Sequence, residues 1–288
     1  MEKLIKQFCE NSKRDNGLLL IDMPTGMGKT YAVTKYIAEN YENIEGKIFF
    51  ITQLKKNLPE DDLRKRFEEI GKTDVFEKLF LRVENNVDNL CENFDAVKDS
   101  LLKYIQDRQF IYKIEREVHL INRKDSISED DWLLVQQAKD DLSSNSEKRL
   151  RDLVVEYLRY DAKGVEHTRS EKKRLIEEDD AYKWIGTLYP TVFSEDKKIF
   201  LMSLDKFLLR YATIVDSPFY IYENDDYMKN GVVFIDEFDT TKEVILKRII
   251  QNGLDNKVGI INIFRAICSG LFDTEFTKIL TEQSQTYS

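Results

Sequence analysis

The sequence predicts an α/β fold, a parallel sheet flanked by helices and interrupted by a mostly helical insert, with more helix than strand. Three observations lead there. An apolar run, Leu18-Leu19-Leu20-Ile21, leads into a glycine-containing loop and then into the helix-like stretch Tyr31 to Tyr41. A second apolar run, Val232-Val233-Phe234-Ile235, ends in Asp236-Glu237-Phe238-Asp239. Finally, 34% of the 288 residues are charged, while Gly and Pro number only 11 and 4, a balance that favours solvated helices over a β-sandwich.

Taken in order, the first element is strand, loop and helix over residues 18–41, the order in which a phosphate-binding loop is built. The loop reads Met23-Pro24-Thr25-Gly26-Met27-Gly28-Lys29-Thr30. Gly26 and Gly28 remove side chains where the backbone must curl round phosphate oxygens, so that N–H groups and the helix N-terminus face the anion. Lys29 then reaches the β- and γ-phosphates, and Thr30 offers its hydroxyl to Mg²⁺, a hard cation that prefers oxygen ligands. Met23 stands where the usual pattern opens with Gly or Ala.

The next element is the strand-like Lys47-Ile48-Phe49-Phe50-Ile51-Thr52-Gln53-Leu54, and a similar one opens Ile199-Phe200-Leu201-Met202-Ser203 before a helix start at Leu204 to Leu209. Val232 to Ile235 reads as a strand buried on both faces. It delivers Asp236 and Glu237 to the strand's C-terminal end, where ligands of open α/β sheets bind. Asp236 suits the Mg²⁺ shell, and Glu237 suits orienting and deprotonating an attacking water. An apolar strand ending in two acids is common on its own. Following a strand-flanked GxGKT, it reads as the second half of a nucleoside-triphosphate site.

Pro24 to Thr30 together with Asp236-Glu237-Phe238-Asp239 resembles motifs I and II of the superfamily 2 DEAD/DEAH-box helicases, in a DEFD version. The resemblance implies the N-terminal, RecA-like domain of a P-loop NTPase, with ATP and Mg²⁺ as cofactors, single-stranded DNA or RNA as partner, and hydrolysis completed by arginines from a second RecA-like domain. The segments at 47–54 and 199–209 look like motifs Ia and Ib, which makes Thr52 and Ser203 candidate contacts to the nucleic-acid backbone. Related helicases of the excision-repair and DinG types carry four cysteines that hold an iron–sulfur cluster. This chain has Cys9, Cys91 and Cys268, far apart, so neither such a cluster nor a structural zinc site is expected. His119 and His167 are isolated as well.

Spacing adds an inference about the middle of the chain. Asp236 stands 207 positions after Lys29, about twice what a few βα units of roughly 30 residues need. Between Leu90 and Tyr189 glycine occurs only at 164 and 186. Leu150, Leu153, Val154, Tyr157 and Leu158 follow helical spacing, and Ser128 to Asp131 has the character of a helix cap before Trp132. The reading is therefore a core of residues 1–90 and 191–240, a helical insert at 91–190, and a helical segment at 241–288. Trp132, Tyr157, Tyr160, Tyr182 and Trp184 are expected to pack rather than stack on bases, for their apolar area.

A net charge of −9 does not advertise nucleic-acid binding, since phosphate neutralisation wants cations gathered on one face. The basic groups at Lys55, Lys56, Arg64, Lys65, Arg66 and at Lys172, Lys173, Arg174 read as solvated faces, the first because acids interleave with it. No apolar stretch suits a signal peptide or a membrane span, and the wide cysteine spacing fits free buried thiols in a reducing, cytoplasmic compartment.

The expected function is an ATP-dependent helicase or translocase, of which these residues form the first motor half and the N-terminal part of a larger protein. A nucleotide-controlled binding module without strand separation is the alternative. A kinase or ABC-type ATPase fits less well, because no LSGGQ-like signature is present and paired acids suit water attack.

Overall fold

A computed structural model of the chain describes residues 1–10, 19–21, 24, 26–123, 132–236 and 246. The chain opens with α1 (Glu2–Cys9) and α2 (Lys29–Asn40), followed by β1 (Ile48–Thr52), α3 (Glu60–Glu69), α4 (Thr73–Leu79) and β2 (Phe80–Val83). Helices then follow one another: α5 (Asn86–Tyr104), α6 (Arg108–Asn122), α7 (Trp132–Asp141), α8 (Glu147–Tyr157), α9 (Arg169–Glu178) and α10 (Lys183–Leu188). Last come β3 (Ile199–Ser203), α11 (Leu204–Leu208), the two-residue strands β4 (Arg210–Tyr211) and β5 (Phe219–Tyr220), α12 (Asp225–Met228) and β6 (Val232–Ile235).

Strands β2, β3, β1 and β6 lie side by side in that order, all parallel, while β4 and β5 make a small antiparallel pair. Ile48 stands opposite both Ile199 and Val232, and Thr52 opposite Ser203, so β1, β3 and β6 finish at one edge of the sheet. Parallel strands covered on both faces read as unbroken apolar runs. Ile48 to Ile51 and Ile199 to Met202 are such runs, and all eight residues are buried.

On one face Ile37, Leu63, Phe67 and Phe76 from α2, α3 and α4 pack against Ile48, Phe50, Ile199 and Leu201. On the other, Phe49 stacks on Phe200 at 5.0 Å, and Tyr227 meets the Phe200 ring edge-on at 6.1 Å. A second apolar core joins α5 to α10 through Phe94, Leu101, Ile111, Leu142, Leu150, Val154 and Ile185. The spacing read in α8 falls on that core, with Leu150, Val154 and Leu158 buried and Leu153 and Tyr157 packed at its margin. Asn85 caps α5, Asp107 caps α6, and Thr168 with Glu171 forms a capping box on α9, each oxygen satisfying an N–H that the helix leaves open.

Several expectations need correction. Of the apolar run before the loop, residues 19–21 form no strand and Leu20 is 61% exposed: an apolar run becomes a strand only where it finds a paired neighbour. Val232 to Ile235 is a strand but not one buried on both faces. It is the last strand of the described sheet, and Ile235 is 40% exposed. Trp132 does not pack; it opens α7 and is 62% exposed. Tyr160 is exposed too, whereas Trp184 is buried and Tyr157 stacks on Tyr182 at 5.0 Å. Cys9 and Cys91 are half-buried rather than buried. The cap at 128–131, Cys268 and, apart from Leu246, the helical segment expected beyond residue 241 lie outside the described residues.

Candidate nucleotide site

The loop reaches α2 through two glycines in the left-handed region, Gly26 at φ 85° and Gly28 at φ 73°, a backbone that residues with a Cβ rarely adopt. Gly28 is the N-cap residue immediately before α2. It has no side chain with which to cap that helix, and the first turn of α2 carries no acid. The positive end of the helix dipole therefore suits an anion. Pro24, Gly26, Met27 and Gly28 are exposed, and Lys29 and Thr30 are half-buried.

The second half of the site arrives on β6. The Asp236 N–H donates to the carbonyl of Ile51 at 2.9 Å, which carries the β6–β1 pairing one residue past the strand and holds Asp236 at the sheet edge. There the Thr30 hydroxyl donates to Asp236 Oδ2 at 3.0 Å, across 206 residues of sequence. Neighbouring ligands of an octahedral Mg²⁺ at 2.0–2.1 Å are themselves about 3 Å apart. The two oxygens therefore have the spacing of one octahedron edge. Thr25 and Glu237 lie outside the described residues.

The structure uses Thr52 and Ser203 internally. Thr52 is fully buried, and its hydroxyl donates to the Leu54 carbonyl at 2.8 Å. Ser203 is buried and accepts from the Lys206 N–H at 3.4 Å, capping α11. In the loop after Thr52, Leu54 and Lys56 are exposed, and after Ser203 the exposed residues are Asp205 on α11 and Leu209 just beyond it. The first basic group is largely engaged: Lys55 pairs with Glu84 at 2.6 Å and with Asp88, Arg64 with Glu77, and Arg66 with Glu69 at 2.6 Å. Burial tends to lower the Lys55 ammonium, but hydrogen bonds to Asp88 and Glu84 outweigh it and raise it. Lys206 nearby is pushed below the usual lysine value by burial, and by Lys55 in second place. In the second basic group Lys173 pairs with Glu195 at 2.7 Å. His119 lies 3.3 Å from Asp95, and His167 Nδ1 lies 3.0 Å from the Leu158 carbonyl.

Motif spacing does not single out Tyr31, the residue after Thr30. It is half exposed, with the Arg66 guanidinium 4.3 Å from its ring centroid. A large aromatic directly after a phosphate loop is the signal that could have marked it.

The family model for the type III restriction enzyme, res subunit (ResIII), matches residues 2–257. The chain belongs to the ResIII family. No curated protein matches it. A ResIII domain is a superfamily 2 helicase-like P-loop NTPase domain, so the four-stranded sheet is RecA-like, and its general function is that of an ATP-dependent nucleic-acid motor domain. Among the described residues no helix of this ResIII chain is long and apolar enough to cross a membrane.

Proposed function

We propose that this ResIII domain binds ATP·Mg²⁺ at the mouth of α2 and serves as the first motor half of a helicase or translocase acting on DNA. The observation that carries the reading is the Thr30–Asp236 contact at 3.0 Å: two oxygens able to ligate a metal, from distant segments, meet beside the N-terminus of α2. In this reading the N–H groups from Gly26 to Thr30 cradle the phosphates, with Pro24, Thr25 and Met27 shaping the loop, and Lys29 neutralises the β- and γ-oxygens. Thr30 and Asp236 hold Mg²⁺, and Glu237 orients the attacking water. The family's association with restriction enzymes supports DNA over RNA. The loop that follows Thr52, with Lys56 exposed, and the start of α11 after Ser203, with Asp205 exposed, are better placed for the strand's backbone than the two buried hydroxyls.

Arginine fingers contribute roughly 10³ to 10⁵ in rate. We assign that arginine to a second RecA-like domain, in a longer chain or a partner subunit. Residues 1–288 alone then bind ATP·Mg²⁺ and hydrolyse it slowly; brisk hydrolysis abolished by Lys29→Ala would contradict this. The deciding measurement is ATPase activity of the full-length protein with and without single-stranded DNA or RNA. Stimulation by DNA is expected. No stimulation by either would replace the motor with a nucleotide-controlled switch.

A further inference from the structure

Tyr31 lies on the first turn of α2, next to Thr30, and is 50% exposed. Ala32 and Tyr36 on the same helix are buried, so Tyr31 occupies the helix's outer side. Side chains on a helix lean back over the turn N-terminal to their own Cα. That lean carries the Tyr31 ring toward the loop rather than toward the middle of the helix.

The ring is also held in place. Arg66 on α3 stands 4.3 Å from the ring centroid, and Glu69 holds the Arg66 guanidinium at 2.6 Å. One side of the ring thus carries a cation–π contact, while half the residue's surface remains open to solvent. A surface ordered before its ligand arrives loses less freedom on binding. Tyr31 also stands beside the loop, its Cβ 4.0 Å from where a Cβ on Gly28 would lie, within reach of the ribose and base of a nucleotide whose phosphates sit over the N-terminus of α2.

We propose that Tyr31 is the stacking platform for the nucleotide's base, with Arg66 as its positioning residue; this rests on the nucleotide site proposed above. Stacking reads area rather than hydrogen-bond pattern. The site therefore prefers purine over pyrimidine nucleotides and separates ATP from GTP only weakly.

Calorimetric titration of residues 1–288 with Mg·ATP, Mg·CTP and Mg·tripolyphosphate tests this. Tyr31→Ala and Tyr31→Leu should each weaken Mg·ATP about tenfold and leave Mg·tripolyphosphate unchanged, and Tyr31→Trp should restore Mg·ATP. Equal losses for ATP and tripolyphosphate would overturn the proposal, because they would mean that Tyr31 only supports α2. An unchanged ATP affinity in both truncations would overturn it as well. If the unaltered protein binds neither ATP nor tripolyphosphate, the nucleotide site itself fails and the platform with it.

Discussion

Thr30 and Asp236 are joined by a hydrogen bond of 3.0 Å although 206 residues separate them. If they share a Mg²⁺ ion, each is needed for metal-assisted hydrolysis and less so for holding the phosphates. Asp236→Asn should lower turnover in the full-length protein by at least about 10²-fold, since a metal acting as Lewis acid contributes several kcal/mol. ATP binding measured without Mg²⁺ should change little. Equal ATP affinities for the variant and the original protein at every Mg²⁺ concentration, with turnover intact, would remove Asp236 from the metal.

Gly46 sets where β6 begins. Its N–H donates to the Asn230 carbonyl at 3.2 Å, and a Cβ added to it would lie 2.3 Å from the Asn230 carbonyl carbon. Gly46→Ala must push the two backbones apart, at a cost of about 1–3 kcal/mol if the strain resembles core overpacking. Because β6 carries Asp236, Mg²⁺-dependent ATP affinity should fall along with the urea midpoint. A variant with the original midpoint would show that the two segments do not meet this closely.

The loop was legible in the sequence because its chemistry restricts residue type: the left-handed backbone at Gly26 and Gly28 favours glycine, and Lys29 and Thr30 follow at fixed spacing. Burial was less legible, since it depends on neighbours that a strand's own residues do not specify. Val232 to Ile235 is as apolar as Ile48 to Ile51, yet β1 has β3 on one side and β6 on the other, whereas β6 ends the described sheet. Thr52 and Ser203 were placed at strand ends as expected. Their hydroxyls, however, found the nearest backbone partners, Leu54 and Lys206, as buried polar groups must.

Arg169 on α9 pairs with both Glu195 and Asp216, which links the helical layer to the turn before β3. Burial pushes both carboxyls up. Hydrogen bonds from Arg169, with Thr213 at Asp216 and Lys173 at Glu195, outweigh it and leave them below their ordinary values of 3.8 and 4.5. A depressed folded value means that the stabilisation is complete above the ordinary value and is lost as pH falls through the folded one. Asp216→Asn should therefore be less stable than the original protein near neutrality, with the difference shrinking below about pH 4. Urea midpoints across that range test it, and a difference independent of pH would assign the loss to packing.

Glu84 tests how firmly the loop after β1 is tied to the helical layer. It is 7% exposed and holds Lys55 at 2.6 Å and Arg82 at 2.5 Å, while Lys55 also pairs with Asp88 in the first turn of α5. Removing one partner of a fully buried pair costs about 3–5 kcal/mol. The Lys55 side chain is 32% exposed and Arg82 remains, so solvent screening reduces the expected loss for Lys55→Met to about 1–2 kcal/mol. Glu84→Gln removes the charge that Lys55 answers. The double variant should consequently lose less than the two single losses together, by about 0.5 kcal/mol or more. Strict additivity in that cycle would mean that the loop and α5 are held by their backbones and not by this pair.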